Sequence, residues 1–190
     1  MDFLEFKDLG EIASQFQERL NIIAKSDNSI SGTPSGFAEL DAITKGFQPS
    51  NLILLGGVAG VGKTSFIASL IRKMAIENQC PTAFFSLEMT RQQLMMRLFS
   101  HETNISAEQL RLGLLDENEM ELVLKITAAL EHTPLSVYDY PFLTVSDIED
   151  ALLCSPPDFA KVLIIDSLEF IAKNKKDKVG KVLNKRELAK

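Results

Sequence analysis

Residues 52–65 constrain this chain more than any other stretch. They read Leu-Ile-Leu-Leu-Gly-Gly-Val-Ala-Gly-Val-Gly-Lys-Thr-Ser, an apolar run that passes straight into a glycine-rich loop. Gly57, Gly62, Lys63 and Thr64 meet the spacing G-x-x-x-x-G-K-[ST], and a helical pattern follows, so strand, loop and helix are expected in succession. Gly57, Gly60 and Gly62 remove side chains where successive N–H groups must turn inward, and they allow positive φ. A helix beginning near Lys63 directs its unpaired N–H groups and its dipole at the same point. Together these features suit the cradling of a phosphate chain. Gly57, Val58, Ala59, Gly60, Val61, Gly62, Lys63, Thr64 and Ser65 form the expected binding loop. Lys63 is then placed on the β- and γ-phosphates and the Thr64 hydroxyl on Mg²⁺. The alternative is a turn that binds nothing, and the apolar residues before it and Gly-Lys-Thr after it argue against that. A nucleoside triphosphate with Mg²⁺ is the expected ligand.

The 190 residues are enough to bury a full core, and one domain is the natural expectation. No apolar run approaches the length of a membrane span, and the acidic N-terminus does not resemble a signal peptide. Cys80 and Cys154 are far apart without metal-type spacing, and are read as buried, reduced thiols of a cytoplasmic protein. His101 and His132 are isolated and are read as structural or surface residues. The net charge of −6 hides an asymmetry: residues 173–190 carry eight basic and two acidic side chains, leaving −12 for residues 1–172. A basic tail can contact phosphates, but a solvated face is the commoner meaning of such a run. The overall acidity argues against a chain whose whole surface grips DNA.

Residues 3–25 place Leu9, Ile12, Phe16, Leu20 and Ile23 at helical spacing, predicting an amphipathic helix. A turn-rich connector, Gly32 to Gly36, and a short helix over 37–44 precede the predicted first core strand, Leu52–Leu55. The helix after the loop is expected to reach Asn78. A second strand follows over 82–86, and Thr90 with Gln93 forms a capping box that opens the next helix. Helical patterns cover 106–113 and 117–131, with a short strand near 135–137. Thr144 with Asp147 opens a further helix that ends near Cys154. Residues 161–165 then form an apolar, β-branched strand with Asp166 at its end. Apolar strands separated by helices predict an α/β fold with a parallel sheet covered on both faces. Ligands of such sheets sit at the carboxyl ends of the strands, so the loop, Glu88 and Asp166 are expected along one edge.

An apolar strand ending in Asp166, about a hundred residues after the loop, fits an acid aimed at Mg²⁺, usually through water. Glu88 follows the second strand, where a carboxylate can orient and deprotonate an attacking water. Equally, it can be a helix-start acid near Thr90.

Taken together, these residues resemble the ATPase domain of DnaB-type replicative DNA helicases, a hexameric RecA-like group. Gly32-Thr33-Pro34-Ser35-Gly36-Phe37, Leu40-Asp41 and Gly46-Phe47-Gln48-Pro49 resemble that family's opening motif, G-I-P-T-G-F…L-D…G-F-Q-P. Phe85-Ser86-Leu87-Glu88-Met89 resembles its F-S-L-E-M segment, and Gln93-Leu94 and Arg97-Leu98 follow it. Thr144-Val145 falls at the family's L-T helix start, and Ile164-Ile165-Asp166-Ser167-Leu168 resembles V-V-D-Y-L. The resemblance implies Glu88 as catalytic base, Lys63 and Thr64 as phosphate and Mg²⁺ contacts, and Asp166 as the second metal residue. It also implies that residues 1–30 form a linker whose helix packs on a neighbouring subunit, ahead of a partial RecA-like ATPase domain over 31–190. Departures are the loop, where the family usually has R-P-S-M-G-K-T, and Ser167 and Glu169 in place of Tyr and Gln.

By the same comparison, several family parts are expected to lie outside this chain. These are the helical N-terminal domain that meets the primase, the core strand after Asp166, the DNA-binding loops and the arginine finger. The RecA-like fold is thus expected to be incomplete at its C-terminal side, the missing strand lying between the loop strand and the Asp166 strand. Two functions follow as expectations. One is ATP-driven unwinding by a homo-hexamer on single-stranded DNA, as the activity of a longer parent. The other is a truncated nucleotide-binding module without unwinding activity. A small-molecule kinase is disfavoured, because neither the opening motif nor S-L-E-M serves a phosphoryl acceptor.

Overall fold

The computed structural model describes residues 8–25, 30–140, 142–156 and 158–172. The basic segment 173–190, residues 1–7 and the polar break 26–29 lie outside that description. The chain divides into two compact units, residues 1–53 and 54–190.

The first unit holds α1 (Leu9–Lys25) and α2 (Ala38–Thr44). Of the predicted apolar stripe on α1, Leu9, Ile12, Phe16 and Leu20 are exposed; the Ile23 side chain lies outside the description. The opening motif folds on itself. Thr33 and Phe47 exchange backbone hydrogen bonds at 2.8 Å in each direction. Asp41 is 3% exposed and its carboxylate accepts from the Ser35 and Gly36 amides at 2.8 and 3.1 Å. A buried carboxylate is tolerable only when amides satisfy it in this way.

In the second unit, α3 (Lys63–Ile71) continues into a π-helical turn, Arg72–Glu77, which matches the expected helix in extent. There follow β1 (Thr82–Ser86), α4 (Arg91–Thr103), α5 (Ala107–Leu112), α6 (Glu117–Leu130), β2 (Leu135–Tyr138), α7 (Val145–Leu153) and β3 (Val162–Asp166). Side-chain chemistry fixes these boundaries. Capping boxes open α4 (Thr90, Gln93) and α7 (Thr144, Asp147), as read from sequence. Ser106 with Gln109 and Asp116 with Glu119 do the same for α5 and α6. No helix among the described residues is long and apolar enough to cross a membrane.

The three strands are parallel, in the order β2-β1-β3, with Thr82 opposite both Leu135 and Val162, and Ser86 opposite Asp166. Central β1 is buried along its whole length. Because side chains alternate across a strand, Phe85 and Phe84 serve opposite faces. Phe85 and Leu87 pack with Leu143 and Ile148 of the α7 region, flanked by Ile165, Phe170 and Ile171. Phe84 is fully buried, as are Ile71, Met74 and Leu94 of the helices around it in sequence. Burying one such side chain stabilises the fold by about 1.5–3 kcal/mol.

Two expectations fail. Leu52–Leu55 is not a strand: the segment has no ladder, and Leu52 and Leu54 are 86% and 70% exposed. A strand exists only by pairing, and among the described residues nothing pairs with β3 on the side away from β1. For the same reason β3 is not fully buried, Leu163 being 41% exposed. The second failure is Cys154. It is exposed at the C-terminus of α7, and only Cys80 is buried; both thiols are free. Burial pushes the Cys80 thiol above its ordinary value, against weaker opposing pulls from Lys161 and Thr82.

Candidate functional site

The loop between Gly57 and Ser65 is built by its glycines. Gly60 and Gly62 adopt φ of +76° and +102°, which the sequence pattern anticipates. Gly57 is constrained by space instead: a Cβ there would lie 2.8 Å from Val61 Cγ1. Gly62 caps α3, so Lys63, Thr64 and Ser65 occupy its first turn, and the Phe66 amide bonds back to the Gly62 carbonyl at 2.9 Å. The first-turn amides have no intrahelical acceptor and present donors to an anion. Lys63 Nζ lies over the loop, donating to the carbonyls of Gly57 (2.9 Å) and Val58 (3.2 Å). Its charge therefore sits at the mouth of the loop formed by Gly57, Val58, Ala59, Gly60 and Val61.

Glu88 and Asp166 are brought together by the sheet. Because β1 and β3 are neighbours in register, the chain leaving β1 crosses the end of β3. There the Leu87 and Glu88 amides both donate to the Asp166 carbonyl, at 2.7 and 3.3 Å. Ser86 Oγ donates to the Met89 carbonyl at 2.7 Å and closes the turn. Leu87 and Met89 are buried on either side, which leaves Glu88 exposed between them. Asp166 is only 3% exposed, and its Oδ2 is a buried oxygen without a hydrogen-bond partner. An orphaned carboxylate oxygen is costly in a protein interior unless a cation or bound water completes it. The Thr64 hydroxyl and the Asp166 carboxylate, the two groups expected at Mg²⁺, each offer oxygen, the donor that ion takes in preference to a softer metal's ligands.

Contrary to expectation, the loop does not sit at the end of a strand of this sheet, because Leu52–Leu55 forms none. It is tied to the sheet edge through α4. The start of that helix is fixed on β2's exit: Arg91 donates to Asp139 from its backbone N, Nε and Nη2 at 2.9, 2.9 and 2.6 Å. These hydrogen bonds and the guanidinium charge hold the Asp139 carboxyl below the usual carboxylate range. Two turns later, Arg97 Nη1 donates to Ser65 Oγ at 3.0 Å. Nothing in the sequence signalled this cross-link beyond Arg97 falling in a family-like segment.

The sequence model for the "DnaB-like helicase C terminal domain" matches residues 32–189. The replicative DNA helicase DnaB of Geobacillus stearothermophilus is 36% identical over 143 residues, covering 75% of this chain and 32% of the relative. The replicative DNA helicase DnaC of Bacillus subtilis is 33% identical over 143 residues, with the same coverage. The chain thus spans about a third of the length of these curated relatives. Among solved structures, one described as an ATPase domain superposes with a TM-score of 0.71 at 26% identity, covering 86% of this chain and 59% of that one. A DnaB-like replicative helicase studied with primase gives a TM-score of 0.67 at 24% identity, covering 87% and 44%, and speaks for the fold alone.

Proposed function

This chain belongs to the DnaB-like helicase C-terminal domain family, and on that premise we propose that it is the nucleotide-binding part of an ATP-dependent replicative DNA helicase. The observation that carries the reading is the pairing of Glu88 and Asp166 at the end of two adjacent strands. Their backbones meet, and one carboxylate is exposed to solvent while the other is buried with an unpartnered oxygen, which suits them to two different tasks.

In the proposed mechanism, the loop Gly57–Ser65 receives the phosphates on its amides, and Lys63 moves its ammonium from the loop carbonyls to the β- and γ-phosphates. Thr64 and Asp166 would hold Mg²⁺, which when bound would neutralise charge developing on the transferred phosphoryl group. Glu88 orients a water and accepts its proton as that water attacks the γ-phosphorus, releasing inorganic phosphate and ADP. Residues 1–30 serve as a linker whose α1 stripe packs on a neighbouring copy in a homo-hexamer, ahead of the ATPase domain 31–190. The helicase so proposed binds single-stranded DNA, and its location is the cytoplasm.

A second reading, nucleotide binding without unwinding by this chain alone, is favoured by the exposure of Leu52–Leu55 and by the edge of β3, which nothing pairs among the described residues. The same purified chain tests both. ATP·Mg²⁺ binding followed by calorimetry should be abolished by Lys63→Ala and spared by Glu88→Gln. Phosphate release should be slow, and Glu88→Gln should lower what there is by about 10²–10⁴-fold. Undiminished affinity in Lys63→Ala would overturn the site. Robust DNA-stimulated hydrolysis would overturn the second reading.

A further inference from the structure

Ser65 is the third residue of α3 and its side chain is a hydroxyl in the first turn, beside the unpaired amides of the loop. Such a hydroxyl commonly turns back onto its own backbone. Here it meets Arg97 instead, at 3.0 Å. A guanidinium can only donate, so Ser65 Oγ is the acceptor in this bond, and its own proton remains to be donated elsewhere. The next turn of the same face is held by Ser69 Oγ, which donates to the Ser65 carbonyl at 3.1 Å.

That bond links the two helices through solvent-exposed side chains. Arg97, Ser100 and His101 lie on one face of α4 and, with Ser65, Ala68 and Ser69 of α3, line a cavity of about 280 Å³. Small and polar side chains border it, so large apolar side chains do not set the spacing of the helices there. The N-terminus of α4 is anchored by the Thr90 capping box and by Arg91 on Asp139. Arg97 stands six residues on, about 9 Å along the axis. The helix that begins just after Glu88 thus reaches the phosphate loop through the Arg97 side chain.

We propose that Arg97 is a positioning residue for the phosphate cradle: it holds Ser65 Oγ as an acceptor and so aims the Ser65 hydroxyl proton at a nucleotide phosphate. The inference rests on the nucleotide-binding reading given above. In this proposal Arg97 acts through Ser65 and not on the nucleotide.

The test is a double-substitution cycle on the full chain, with ATP·Mg²⁺ affinity read by calorimetry and folding by thermal melting. Arg97→Ala and Ser65→Ala should each weaken binding by about threefold to tenfold, the worth of one accessible hydrogen bond. The doubly substituted chain should bind no more weakly than either single one, because both changes remove the same donor geometry. Arg97→Lys, which keeps a donor, should recover part of the loss. Unchanged affinity in Ser65→Ala or Arg97→Ala would overturn the proposal, as would losses that multiply in the double variant, the result expected if Arg97 met a phosphate directly. Should Arg97→Ala fail to fold, Ser65→Ala and Arg97→Lys still decide the matter. A wild-type chain that binds no ATP overturns this proposal and the reading beneath it together. Binding by the wild type with no effect of Arg97→Ala overturns this one alone.

Discussion

Replacing Gly62 by alanine isolates the backbone contribution to the phosphate loop. Gly62 stands at φ +102°, ψ 19° as the N-cap of α3, and a Cβ added there meets no heavy atom within 4 Å. Crowding is therefore not the obstacle. An L-residue held in left-handed conformation costs about 1–2 kcal/mol, and φ +102° lies outside the well that such residues tolerate best. The strain has two outlets. If the loop keeps its shape, the melting temperature falls by about 2–4 °C per kcal/mol for a chain of this size. If the loop relaxes, the amides beyond Gly62 turn from the anion and ATP·Mg²⁺ affinity falls by about fivefold to thirtyfold. Thermal melting and calorimetric titration, run on the same preparation, should together account for the strain. Gly57→Ala supplies the contrast, because its Cβ would strike the Val61 side chain at 2.8 Å. Its loss should be recovered in Gly57→Ala/Val61→Ala, whereas Val61→Ala should do nothing for Gly62→Ala. A Gly62→Ala protein with unaltered melting temperature and affinity would refute the reasoning.

Asp41→Ala should leave the amides of fully buried Ser35 and half-buried Gly36 unpaired, at a cost of about 2–4 kcal/mol. Amide hydrogen exchange over residues 30–48 should accelerate by about thirtyfold or more, and exchange at the wild-type rate would contradict the assigned role of the carboxylate. The Arg91–Asp139 pair should show a pH dependence with a definite sign. The folded-state value of Asp139 is depressed, so its contribution is present above the unfolded value near about 3.9 and is lost as pH falls through the folded one. The stability gap between wild type and Asp139→Asn in urea unfolding should thus be widest above about pH 5 and close in acid; a gap that widens in acid would reverse the argument.

What was legible in the sequence was local. The capping pairs Thr90–Gln93 and Thr144–Asp147 announce helix starts because the reciprocal hydrogen bonds involve residues three apart. The same reasoning would have found Ser106–Gln109 and Asp116–Glu119. Gly60 and Gly62 of the glycine-rich loop are legible because positive φ is a property of single residues, whereas Gly57 is held by the Val61 side chain beside it. Glu88 and Asp166 were visible as acids at strand ends. That β1 and β3 are neighbours, which places them together, is a matter of strand order.

Leu52–Leu55 marks the boundary most clearly. Its composition is that of a core strand, yet it is exposed and without a ladder, since apolar side chains favour a strand but a partner makes one. The Arg97–Ser65 bond joins residues 32 apart and has no periodicity to betray it. By itself the sequence determined the glycine-rich loop, the helix starts and the chemical kinds of the candidate site residues, because each depends on a residue and its near neighbours. Tertiary structure alone decided which strands pair, which acid is buried with an unpartnered oxygen, and which side chain reaches the phosphate loop. Those outcomes depend on distant segments meeting.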